Sequence, residues 1–101
     1  MVPKFDELIH QSTRLSIVAL LAASDWAEFA FVRDSLGLSD SALSKHFSTL
    51  ERAGYLTVER VADDRKRRVH VRLTTAGRDA FQGHIAAIQR IVDGVSSTRS
   101  I

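Results

Sequence analysis

Ser41, Lys45, Ser48 and Arg52 fall on one side of a helix when the chain is advanced by about 100° per residue, with Ser44 and Thr49 flanking them. That face carries short hydrogen-bonding side chains, two cations and no acid. It is narrow enough to enter the major groove of a duplex, where Lys45 can donate to guanine O6 and N7 and the serines can donate or accept. Ala42 can meet a thymine methyl group there. A few residues downstream, Arg65, Lys66, Arg67, Arg68 and Arg72 put five bases within eight residues, an electrostatic footprint for phosphate. A solvated helix and a solvated hairpin tip are the bland alternatives for these two patches. Their succession, with Gly37 before the first, favours a surface for duplex DNA.

Other chemistry is weakly supported. Serines are plentiful, but no nucleophile elbow, glycine-rich phosphate loop or carboxylate pair occurs, so no catalytic residues are assigned and an enzyme is not expected. The four histidines, at 10, 46, 70 and 84, lack ligand partners at short spacing apart from Asp6 with His10. A zinc site would arise only if His10 and His84 met at a dimer interface. No metal and no cofactor are therefore expected.

The elements that must hold these faces follow from periodicity. A helix over 6–23, with Leu8, Leu15, Val18 and Ala22 on one face and Ile9, Ile17, Leu20 and Leu21 around it, is apolar nearly all round and should be buried on more than one side. Trp26 to Phe29 can form a short edge strand. A second helix, Ala30 to Leu36, stops at Gly37, a residue suited to a left-handed cap. Ser39 is a natural N-cap for a third helix over Asp40 to Ala53 whose inner wedge is Leu43, Phe47 and Leu50. Ser39 is counted with the DNA-contacting set, as is His46, which stands at the border of the inner and outer faces. Alternation in Leu56–Val61 and Arg68–Leu73 predicts two antiparallel strands joined by a loop over Ala62 to Arg67. In that loop Asp63 and Asp64 shape the turn, and Arg65, Lys66 and Arg67, with Arg68 at the start of the next strand, reach phosphate or the minor groove. Thr74 or Thr75 caps a last helix to about Val95, in which Phe81, Ile85, Ile88, Val92 and Val95 recur at spacings of 4, 3, 4 and 3. That stripe, with Leu8 and Ile9 of the first helix, is the expected interface with a second copy. Trp26, Phe29, Phe31 and Tyr55 are read as core or edge packing.

These parts predict a mainly α member of the α+β class. A three-helix core carries a β-hairpin wing and a long C-terminal dimerisation helix, the arrangement of a winged helix-turn-helix. All 101 residues form one domain, with the helix-turn-helix at 30–53, the wing at 55–73, and dimerisation helices at 6–23 and 75–95.

Composition agrees. The chain is 45% hydrophobic and 26% charged, as an ordinary globular protein is. It has no cysteine, which removes disulfides, thiol nucleophiles and thiolate metal sites and suits the cytoplasm. No signal-peptide pattern opens it, and its longest apolar run, Ile17 to Ala23, is too short to span a bilayer. The net charge of +2 is modest, but residues 39–73 carry eight bases against five acids while residues 1–38 carry three against five.

Four stretches together carry a family resemblance: His10-Gln11-Ser12-Thr13-Arg14-Leu15; Phe29-x-x-Val32-Arg33-x-x-Leu36-Gly37-Leu38-Ser39; Leu43-Ser44-Lys45-His46-Phe47-x-x-Leu50-Glu51-x-Ala53-Gly54-Tyr55-Leu56; and Arg72-Leu73-Thr74-Thr75-Ala76-Gly77-Arg78. In this order they resemble the compact winged-helix transcriptional regulators of the MarR type, close to the ArsR type, over about residues 8 to 92. The resemblance implies a homodimer that binds double-stranded DNA at a roughly palindromic operator, usually as a repressor. The chain differs from metal-sensing ArsR proteins in lacking their cysteines and from longer MarR proteins in lacking their extra terminal helices. Two further readings remain: a winged-helix module that binds protein, and a binder of double-stranded RNA or Z-form nucleic acid.

Overall fold

A computed structural model describes residues 2–63 and 66–99. Helix α1 spans Glu7–His10 and helix α2 spans Ser12–Ala22. The single helix expected over 6–23 is thus broken, and the break has a local cause. Gln11 is extended (φ −58°, ψ 129°), and its side-chain oxygen caps α2 by accepting from Arg14 N at 2.8 Å. Arg14 Nε in turn donates to the Leu8 carbonyl at 2.6 Å, satisfying an acceptor at the end of α1.

Strand β1, Ala27–Glu28, leads directly into α3, Phe29–Leu36. Gly37 ends α3 in the left-handed region (φ 65°), where a Cβ would be strained. Ser39 then accepts from Ala42 N at 3.2 Å and opens α4, Asp40–Arg52. Leu43, Phe47 and Leu50 of α4 are buried, as their spacing requires. Strands β2, Leu56–Asp63, and β3, Lys66–Leu73, pair antiparallel from Leu56↔Leu73 to Asp63↔Lys66. β1 pairs with the other edge of β3, Ala27 opposite Val71, so the sheet order is β1-β3-β2. The ladder runs further than expected. Most of the stretch read as a six-residue loop is strand, with Asp64 and Arg65 outside the described residues.

Helix α5, Thr75–Arg99, is capped by Thr74, whose Oγ1 accepts from Gly77 N at 3.0 Å and donates to the Gly54 carbonyl at 2.6 Å. Gly77 lies against the backbone of Tyr55, and a Cβ there would run into the Tyr55 carbonyl oxygen. Ile17, Val18 and Leu21 of α2, Val32 of α3, the inner face of α4, and Leu56, Val71 and Leu73 of the sheet form one core. Beyond it α5 projects, and the molecule measures 64 × 26 × 20 Å with a radius of gyration of 15.8 Å, against about 13 Å for a compact chain of this size. No helix among the described residues is long and apolar enough to cross a membrane.

Ile9 corrects an expectation. It is 0% exposed within its own chain and offers nothing to a second copy. Leu8 and Phe81 are half-buried against the chain's own core. The exposed part of the stripe lies farther along α5, where Ile85 is 43%, Ile91 57%, Val92 49% and Val95 56% exposed, with Ile88 half-buried beside them.

Candidate nucleic-acid interface

The outer face of α4 is open along its length. Ser41, Ser44, Lys45, Ser48 and Arg52 are exposed, and Ala42 is half-buried. Ser39 is exposed, with its hydroxyl committed to the helix cap and 3.4 Å from Ser41 Oγ. Thr49 donates its hydroxyl to the Lys45 carbonyl at 3.0 Å, leaving Lys45 and Ser48 to stand proud of it. The one acid in the first turn, Asp40, is paired with Arg33 of α3, whose Nη1 lies 2.9 Å from Asp40 Oδ1. Arg33 Nε also holds Asp34 at 2.9 Å. Arg33 thereby ties α3 to the start of α4 and offsets an anion that would oppose a phosphate. Sequence reasoning missed this role, because the seven-residue separation spans the turn between two helices.

His46 is turned inward. It is half-buried, with Nδ1 3.4 Å from Arg14 Nη1. Burial, and secondarily the Arg14 cation, pushes its pKa below the usual histidine value, so the ring is held neutral. The expectation that His46 meets phosphate is corrected to a packing role between α2 and α4.

The hairpin sorts its cations by strand phase. Leu56, Val58 and Arg60 of β2 share a parity, as do Arg67, Val69, Val71 and Leu73 of β3, with Arg60 opposite Val69 and Ala62 opposite Arg67. Arg60 and Arg67 are exposed and lie on the side that faces α4. Arg60 borders a cleft of about 420 Å³ with Ser44, Ser48 and Glu51 of α4, floored by Phe29, Phe47, Val58 and Val69. Arg68 and Arg72 have the opposite phase. Arg68 Nη1 meets Glu28 Oε1 at 2.8 Å and Arg72 Nη2 meets Glu59 Oε2 at 3.5 Å. Between them His70 stacks on Trp26, ring centres 4.0 Å apart. Arg68, also expected in the DNA-contacting set, is exposed and braces β3 against Glu28, at the start of α3, on the opposite face of the ribbon from Arg60 and Arg67. Arg65 lies outside the described residues, and of Lys66 only the backbone is described. Arg60, absent from the expected set, was legible as the third member of the Leu56–Val58 alternation.

His10 and His84 meet within one chain, not across two. Their Nδ1 and Nε2 atoms are 3.2 Å apart, and His84 Nδ1 accepts from Asp6 N at 3.0 Å. A neutral ring that accepts at Nδ1 carries its proton on Nε2, so the contact is a hydrogen bond from His84 Nε2 to His10 Nδ1. A metal-bound histidine needs the reverse, a second nitrogen that donates outward. The donor set does not fit an ion, and among the described residues no group of three ligand-type side chains gathers.

A helix presented beside a two-stranded ribbon, with cations on the shared side, defines a winged-helix protein of the nucleic-acid-binding class. Residues 13–92 match the model of the winged helix DNA-binding domain family, and the chain belongs to that family. It is similar to an uncharacterized protein of Methanocaldococcus jannaschii, 26% identical over 85 residues, covering 84% of this chain and 92% of that one. Among solved structures it is similar to a transcriptional regulator homologue from Pyrococcus horikoshii OT3, with a TM-score of 0.85, 26% identity and 89% of each chain covered. It shares its fold with ZitR of Lactococcus lactis, a zinc-responsive MarR family member, at a TM-score of 0.61 and 23% identity over 86% of this chain and 59% of that one. The fold is one that MarR family members share, and the family match makes this chain a winged-helix DNA-binding domain.

Proposed function

We propose that two copies of this chain, joined along the projecting part of α5, read a pseudo-palindromic operator and repress transcription from it. In this reading α4 enters the major groove. Ser41, Ala42, Ser44, Lys45 and Ser48 face base edges and nearby phosphates, Arg52 lies on the backbone, and Arg60 and Arg67 reach phosphate from the wing. The observation that carries it is the continuous exposed face of α4, free of acids between Ser41 and Thr49 and flanked on the cleft side by Arg60. An adaptor that binds protein has no reason to keep such a face free of anions.

Pairing is supported by the exposed apolar side chains Ile85, Ile91, Val92 and Val95 on consecutive turns of one helix. A soluble monomer rarely leaves such a patch bare. Two-fold symmetry then demands half-sites about one helical turn apart, ~34 Å centre to centre.

Selection of bound fragments from a genomic library, followed by fluorescence anisotropy at fixed salt, tests the reading directly. Transcription from a selected fragment should fall when the protein is added. Equal affinity for every duplex, or none, would sink it.

A further inference from the structure

Residues 2–6 cross α5 and connect it to the end of α4. Lys4 N donates to the Gly83 carbonyl at 2.9 Å. The crossing is close, since a Cβ on Gly83 would stand 3.3 Å from the Val2 carbonyl oxygen. Two residues on, Asp6 N donates to His84 Nδ1 at 3.0 Å, and the Asp6 carboxylate accepts from Tyr55 Oη at 2.5 Å. Phe5 closes over the histidine pair, its ring centre 4.7 Å from that of His10 and 4.6 Å from that of His84. His84 is completely buried beneath this segment.

We propose that residues 2–6 form a proton-released strap: protonation of His84 detaches them from α5 and releases the hold of Asp6 on the Tyr55 side chain, while Thr74 and Gly77 keep the start of α5 against the Tyr55 backbone. The neutral ring fits its surroundings because one nitrogen accepts from Asp6 N and the other donates to His10. A cationic ring must donate from both. Its new Nδ1–H would then oppose the Asp6 N–H head on. Burial first, and then the neighbouring His10, hold His84 below the usual histidine pKa; Asp6 and Glu7 act in the opposite sense and are outweighed. The Asp6 carboxylate is already engaged by Tyr55 Oη and by Ile9 N. On α2, Arg14 is engaged by the Leu8 carbonyl and His46. Lys4, on the strap itself, is exposed and adds a further positive charge. Release would reach DNA reading because Tyr55 lies just past the end of α4, after Ala53 and Gly54, a consequence that rests on the function proposed above.

Amide hydrogen exchange followed by NMR on the whole chain, from about pH 8 to about pH 5, tests the strap. Protection of the Lys4 and Asp6 amides, relative to intrinsic exchange, should fall by about tenfold per pH unit below the usual histidine value, while Val71 in β3 stays protected. Constant protection while the His84 ring signals report protonation would overturn the proposal. His84→Asn keeps an acceptor near Nδ1 without a titrating group and should abolish the pH response; a response like that of the wild type would overturn it. Because that buried substitution can fail to fold, His10→Ala at the exposed partner is the second variant. It removes the acceptor of the His84 Nε2–H, which weakens the closed strap, so protection of the Lys4 and Asp6 amides should fall already at about pH 8; protection unchanged there would count against the strap. A strap that responds in a protein that binds no duplex at any pH supports the strap and refutes the DNA reading instead.

Discussion

The phenol of Tyr55 donates to Asp6 Oδ2 at 2.5 Å, joining residues 49 apart in the chain and tying the end of α4 to the N-terminal segment. Tyr55 is the chain's single tyrosine, so its titration can be followed without overlap. The hydrogen bond to Asp6, then burial, then the Asp6 charge push its pKa up from 10.0 to about 12. The neutral phenol is therefore favoured by folding. Its contribution is complete below the ordinary tyrosine value and is lost as pH rises through about 12. The phenolate absorption band should appear only near that upper value. Tyr55→Phe should lower stability by about 1 kcal/mol in urea unfolding, less than a buried bond to a charge because the pair is part-exposed.

Gly77 is expected to tolerate no side chain. A Cβ would collide with the Tyr55 carbonyl oxygen, which is fixed by a 3.0 Å hydrogen bond from Thr74 N. Gly77→Ala should destabilise by about 1–3 kcal/mol despite the better helix propensity of alanine. Thermal unfolding would show this as a lower midpoint, by about 4–8 °C per kcal/mol. An unchanged midpoint would mean that the start of α5 can move away from Tyr55.

The wing arginines should separate by strand phase. Arg60→Ala and Arg67→Ala are each expected to weaken duplex binding and to reduce the slope of log affinity against log salt by about 0.9 for each phosphate no longer neutralised. Arg68→Ala, which breaks the 2.8 Å pair with Glu28 on the other face, should leave that slope nearly unchanged. Anisotropy titrations at several salt concentrations distinguish the two groups. The reverse ranking would place the DNA on the wrong side of the sheet.

Ile85 and Val92 lie on the exposed stripe of α5, seven residues apart, and neither contributes to the core. Ile85→Glu with Val92→Glu should leave the single-chain fold intact and convert a dimer to a monomer in sedimentation, with a large drop in operator affinity. Circular dichroism would show whether the helix content survives. A dimer that persists would move the interface elsewhere.

His46 should titrate below the usual histidine value, since burial and Arg14 both disfavour its charged form. A base whose folded pKa is depressed contributes stability above its unfolded value. That contribution is lost as pH falls through the unfolded value toward the folded one. Arg14→Gln removes the like charge and should raise the NMR midpoint of His46, though burial keeps it depressed. A midpoint unmoved by that change would mean that the Arg14 cation has no electrostatic effect on the ring.

Local order was legible in the residues themselves. The wedge Leu43, Phe47, Leu50, the cap Ser39, the left-handed Gly37 and the alternation along β2 and β3 are set by backbone sterics and by side-chain periods of 3.6 and 2, which a linear reading can count. The outer surface of α4 follows from the same count. Tertiary structure decided what each apolar or basic run faces. It broke the first helix at Gln11, buried Ile9 in its own chain, and sent Arg67 and Arg68 to opposite sides of one ribbon. It also brought His10 to His84 across 74 residues, inside one protomer. Periodicity specifies an angle about an element's own axis, whereas burial and pairing depend on which element lies on the other side, and only packing supplies that second surface.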